Sequence, residues 1–76
     1  MIKINDTITY RPSFGMGAPK TVQIEHMELC DQPRSKYGKS VTTVTVDDIK
    51  RNMVMFDLSD GHWCYSDQIV LPRKGK

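Results

Sequence analysis

The segment Lys20–Cys30, "KTVQIEHMELC", limits what this chain can fold into more than any other stretch. Val22 and Ile24 put the apolar face on even positions, whereas Met27 and Leu29 put it on odd ones. A strand has a side-chain period of two, so it cannot change parity without an extra residue. The pattern therefore predicts a β-bulge or sharp bend near Glu25–His26. A long bent strand of this kind can belong to two sheets at once. The β-branched side chains of Thr21, Val22 and Ile24 argue against a helix at its start.

The rest of the chain reads as short strands. "TITYR" (7–11) alternates Ile8 and Tyr10 with threonines, and "PSFGMGAP" (12–19) is a loop punctuated by glycine and proline. "DQPRSKYGKS" (31–40) is a polar loop, and "VTTVTV" (41–46) is β-prone through its branched side chains. "DDIKRN" (47–52) interrupts, with Asp47 or Asp48 able to cap a single helical turn. "MVMFDL" (53–58) and "HWCYS" (62–66) are strands around the turn "SDG". "DQI" fits one tight turn before a last short strand, "VLP".

The hairpin admits two registers. A two-residue Asp60-Gly61 loop pairs Leu58 with Trp63 and Phe56 with Tyr65, which turns both aromatics inward. A three-residue Ser59-Asp60-Gly61 loop, closed by Gly61 in the left-handed region, pairs Phe56 with Cys64, Met55 with Tyr65 and Asp57 with Trp63. The second suits Ser-Asp-Gly better, and a small core has room for Cys64 more readily than for two large rings. It leaves Met53, Met55, Trp63 and Tyr65 together on the outer face, a composition favoured in interface cores. The competing reading has the long 31–50 connection or the N-terminus fold over these side chains and bury them as a second small core.

With 76 residues the chain has the size of one domain near the lower limit for a single core. The expectation is one domain over 1–72 and a basic tail over 73–76. The net charge is +2, and setting aside Arg73, Lys74 and Lys76 leaves a body of −1, a weak electrostatic footprint for nucleic acid. No apolar run approaches the length of a membrane span, and "MIKINDTITY" alternates polar and apolar without the apolar h-region of a secretory signal, so neither is expected. Two cysteines are too few for a disulfide scaffold, so a reducing, cytoplasmic setting is expected.

One strand, a loop, a long bent strand, a longer connection, a tight hairpin, a one-turn helix and a short closing strand together resemble a Src-homology-3-like small barrel. The ending "GHWCYSDQIVLP" is similar in rhythm to the distal hairpin and "PSNYV"-type finish of that superfamily. The resemblance implies a mainly β fold, a barrel of five or six strands with a one-turn helix near the C-terminus. Only Tyr10 matches the "ALYDY"-like motif of the peptide-binding members, and the tryptophan lies on the returning strand. Recognition of proline-rich peptides is therefore not implied. The chain also resembles small bacterial or phage-borne proteins, from which no activity carries over, because fold alone does not fix function.

The zinc-type ligands His26, Cys30, His62 and Cys64 have spacings H-x3-C and H-x-C, which match no common structural zinc pattern. No metal or other cofactor is expected, and Cys64 reads as core. A Cys–His nucleophile lacks a visible third group, and "FGMGAP" is too proline-broken to open a phosphate-binding helix. The expectation is a non-catalytic interaction module, docking a protein partner or a second copy of itself through Met53, Met55, Trp63 and Tyr65. The alternative is weak nucleic-acid binding by Arg34, Lys36, Tyr37 and Lys39 with Arg73 and Lys74 of the tail, a basic loop around a stacking aromatic.

Overall fold

In the computed structural model, which describes residues 1–33, 35 and 38–71, the strand Lys20–Leu29 bends where its sequence changes parity. In chain order the elements are β1 (Ile2–Lys3), β2 (Thr7–Tyr10), β3 (Lys20–Leu29), β4 (Lys39–Val41), β5 (Thr43–Val44), α1 (Val46–Lys50), β6 (Val54–Leu58), β7 (Trp63–Tyr65), a 3-10 turn (Ser66–Gln68) and β8 (Ile69–Val70). Pairing of β3 with β6 shifts register between Ile24 and His26, which leaves Glu25 as the extra residue. Val22, Ile24 and Met27 are all buried as a result, although they differ in parity. Along one edge β3 pairs first with β2, through Lys20–Gln23, and then with β4, through Met27–Leu29.

The main sheet has six strands in the order β7-β6-β3-β2-β8, with β4 also on β3, and it curls into a half-barrel. A separate two-stranded ladder joins β1 to β5, pairing Ile2 with Val44. The fold is mainly β with a lone 3-10 turn near the C-terminus. Tyr10, Val22, Ile24, Met27, Val54, Phe56, Leu58 and Cys64 fill the core, and Val44 and Ile49 join them from β5 and α1. Among the described residues no helix is long and apolar enough to cross a membrane.

The β-prone stretch 41–46 is divided between elements: Thr42 separates β4 from β5, the two pair in different sheets, and Val46 opens α1. One local expectation is corrected. The helix cap is Thr45, not Asp47 or Asp48. Thr45 is extended (φ −92°, ψ 161°), and its hydroxyl accepts from the Asp48 N–H at 3.0 Å. The Asp48 carboxylate accepts the Thr45 N–H at 3.1 Å, closing a capping box. Asp48 thus serves the cap from the third helical position rather than forming it.

The hairpin takes the three-residue loop. Leu58 N–H donates to the His62 carbonyl at 2.9 Å, Gly61 N–H donates to the Leu58 carbonyl at 3.1 Å, and Gly61 has φ +86°. The strands pair Met55 with Tyr65, Phe56 with Cys64 and Asp57 with Trp63. Phe56 and Cys64 are fully buried, whereas Trp63 is 38% exposed.

Candidate functional site

The loop between β2 and β3 holds its shape through two carbonyls, those of Pro12 and Ser13. Pro12 accepts from Gly15 N–H at 3.2 Å and from Gly17 N–H at 2.8 Å, while the Ser13 carbonyl accepts from Met16 N–H at 3.1 Å. Ser13, Phe14 and Gly15 stand in succession at φ +56°, +54° and +93°. Glycine takes this region without strain, but for a bulky side chain such as Phe14 it is a genuine outlier. At Gly17 an added Cβ would stand 3.0 Å from the Pro12 ring and carbonyl, so any larger residue there would require Pro12 to give way by a few tenths of an ångström. The strained turn displays two apolar side chains to solvent, with Phe14 69% and Met16 89% exposed.

Phe14 faces the β6–β7 hairpin across a cleft of about 200 Å³, lined also by Tyr10, Pro12, Ser13, His62, Trp63 and Gln68. Its floor is anchored by Gln68, which is buried. The Gln68 amide donates to the Arg11 carbonyl and its oxygen accepts the Tyr65 N–H, both at 3.0 Å; Arg11 N–H returns a bond to the Gln68 carbonyl at 2.9 Å. The 3-10 turn is thereby tied to the end of β2.

One wall is fixed by Asp60, at the tip of the hairpin. Its Oδ2 accepts the Tyr10 hydroxyl at 2.7 Å and the Lys20 ammonium at 2.9 Å, with His62 Nδ1 at 3.3 Å; its Oδ1 accepts the His62 N–H at 3.0 Å. Burial by itself would raise the Asp60 pKa. The hydrogen bonds from Tyr10, Lys20 and His62 outweigh burial and hold the carboxyl well below the usual carboxylate range. Burial, and then the bond to Asp60 and its charge, push the Tyr10 phenol up to about 12.

Of the residues singled out from sequence, Trp63 and Tyr65 lie together on the outer face of β7, edge to face with centroids 5.2 Å apart and an interplanar angle of 86°. Met55, the cross-strand partner of Tyr65, is 9% exposed, and Met53 is half-buried. Lys39 is exposed on β4. Arg34, Lys36, Tyr37, Arg73 and Lys74 lie outside the described residues, as does the proposed tail 73–76. No family model, no curated protein and no solved structure matches the chain. What can be said of the site therefore rests on its own geometry.

Sequence reasoning passed over Phe14, Met16 and Pro12. The available signal was two large apolar residues inside a glycine- and proline-punctuated loop, where periodicity says nothing. His62 is exposed and Cys64 fully buried, so the H-x-C pair does not converge. Among the described residues, no group of three or more His, Cys, Asp and Glu could hold a metal ion. Burial pushes the Cys64 thiol up to about 12, and Cys30, which is also buried and donates to the Ser35 carbonyl at 3.2 Å, is raised as well. Thiolate is the reactive species, so both should resist an aromatic disulfide reagent in the native protein. Stopped-flow absorbance should show the thiols reacting only at the rate of opening, and a fast native phase would contradict the assignment.

Proposed function

We propose that the protein is a non-catalytic interaction module, a Src-homology-3-like small barrel that docks a protein partner across the cleft between Phe14 and Trp63. The strand order β8-β2-β3-β6-β7, with bent β3 shared between the two halves, supports the architectural part of this reading. One observation carries the functional part. Phe14 and Met16 are held out to solvent by a strained backbone, beside the exposed Trp63. Strained conformations cost on the order of 1–3 kcal/mol each and concentrate at ligand clamps and other functional sites. Anchors fixed in advance lose little rotamer entropy on docking. Tyr65 extends the surface from Trp63 along the outer face of β7, with the half-buried Met53 just before β6 and Met55 packed beneath Tyr65 as a buried support, and the two cysteines, neither in a disulfide, suit a reducing cytoplasm.

Selection from a displayed random-peptide library tests the reading. Wild-type protein should enrich a family of apolar peptides. Trp63→Ala and Phe14→Ala should each weaken the selected peptides by about 30-fold, the size of a hot-spot loss, with circular dichroism melting curves confirming that the variants fold. Equal capture by both variants, or no enrichment by the wild type, would remove the proposal.

A further inference from the structure

The sheet ends at β8, which among the described residues pairs only with β2. Tyr10 stands opposite Ile69 and Thr9 opposite Val70, and the Arg11 N–H donates to the Gln68 carbonyl at 2.9 Å. Bonded and non-bonded pairs alternate along an antiparallel ladder, so Thr9–Val70 is the next bonded pair. The N–H and carbonyl of Val70 therefore turn towards β2, and those of Ile69 and Leu71 turn towards the open edge. The Ile69 N–H is taken by the Ser66 carbonyl, so the Ile69 carbonyl and both backbone groups of Leu71 face outward along that edge. Beside it runs a groove of about 260 Å³, lined by Ile2, Ile8, Thr9, Ile69, Val70 and Leu71. Ile8, Ile69 and Leu71 pack against the core from the inner face, while Val70 is 43% exposed on the outer one. Native edge strands are commonly blunted by lysine, proline or a bulge. Residues 69–71 have none of these, and no charged side chain lines the groove.

We infer that this edge is a self-association surface, on which β8 of a second copy pairs antiparallel with β8 about a twofold axis between the two Val70 residues. The strand is complementary to itself in that register. Val70 meets Val70 on the outer face, and Ile69 meets Leu71, twice, on the inner face, so apolar side chains face apolar ones on both sides of the ladder. The Leu71 N–H of each copy reaches the Ile69 carbonyl of the other, giving two backbone bonds. A groove without charge does not repel its own image and offers no ion pair to a charged partner, and a net charge of +2 leaves little general repulsion between copies. Twofold pairing also closes on itself, whereas β8 laid against β7, the other end of the sheet, would leave an edge free and continue into a filament. The contact is short, so the dimer is a weak one that forms as concentration rises. No residue of the groove lines the cleft beside Phe14, so the two surfaces can be occupied independently.

Sedimentation velocity from about 10 μM to about 1 mM should show the mean mass rising from that of one chain towards that of two, as a small interface requires. Val70→Lys sets like charges face to face and should weaken self-association about tenfold, with circular dichroism melts confirming the fold. Val70→Cys reports on the register, because the opposed Cα atoms of a non-bonded pair stand about 4.5 Å apart, within the span of a disulfide. Under oxidised glutathione it should cross-link about tenfold faster than Val46→Cys, a valine of similar exposure (41%) outside the groove, while Cys30 and Cys64 stay buried. Phe14→Ala, which changes only the cleft, should leave self-association as it is. A chain that stays single at the highest concentration, an association untouched by Val70→Lys or abolished by Phe14→Ala, or equal cross-linking of the two cysteine variants would each overturn the inference.

Discussion

Asp60→Ala is expected to lower the unfolding free energy by about 3 kcal/mol, because the change strands a buried donor as well as removing an acceptor. The Tyr10 hydroxyl comes from a side chain only 1% exposed, and its hydrogen-bond partner among the described residues is the Asp60 carboxylate at 2.7 Å. The same oxygen holds the Lys20 ammonium. Asp60 therefore joins the hairpin tip to the paired ends of β2 and β3, across sequence separations of 50 and 40 residues. Tyr10→Phe should cost about 1.5 kcal/mol, since it removes one bond to a charged acceptor and leaves the other donors in place. Urea denaturation of both single variants and the double variant closes a cycle, in which a coupling of about 1–2 kcal/mol is expected. Additive losses would mean that the hydroxyl and the carboxylate act independently.

The same contact sets the response to pH. The carboxyl of Asp60 is more acidic in the folded protein than in the unfolded chain, despite its burial, because of the donors from Tyr10, Lys20 and His62. Its contribution is therefore complete above the unfolded carboxylate pKa of about 4 and is lost as the pH falls below it. The Tyr10 phenol is shifted the other way, to about 12. A folded pKa above the unfolded value of about 10 gives a contribution that is complete below that pH and is lost as the pH rises through 12. Thermal melts across pH should show both limbs in the wild type. In Asp60→Asn the acid limb should flatten, and in Tyr10→Phe the alkaline one.

These long-range contacts explain where the sequence was legible and where it was not. The bulge at Glu25 could be read because it is a local rule: apolar parity changes within one strand, and no fold can hide that. The hairpin register could be read because Ser-Asp-Gly favours a particular turn and because Cys64 fits a core better than Trp63. Thr45 was hidden within a run of β-branched residues, where a threonine that caps a helix looks like one that extends a strand. Phe14 was missed for a different reason. An exposed aromatic in a left-handed turn breaks both the burial rule and the backbone preference on which sequence reading depends, and its position follows from the Pro12 carbonyl and the closeness of Gly17. Asp60 carried a local signal as a turn former, but nothing near it in sequence announces Tyr10 or Lys20. Local chemistry thus gave the scaffold, while the cleft and its wall arise only when distant turns meet.

The closure of the sheet at its other end rests on a hydroxyl that does the work of a neighbouring strand. Ser66, 1% exposed, donates to the Val54 carbonyl at 2.6 Å and accepts the Val54 N–H at 2.8 Å. This satisfies both backbone groups at the first residue of β6 and draws the 3-10 turn against it. Ser66→Ala would leave the two groups buried without partners, at a cost of about 3 kcal/mol. Ser59 offers the control, since its hydroxyl also accepts a backbone N–H, that of Gln23 at 3.0 Å, but from an exposed position. Water can replace that bond, so Ser59→Ala should cost under about 1 kcal/mol. The two variants delete the same atom from the same residue type, and they differ chiefly in access to solvent and in whether one backbone group or two is served. Equal losses in urea denaturation would mean that burial does not set the strength of the Ser66 anchor, and that β8 and the floor of the cleft are held in place by other contacts.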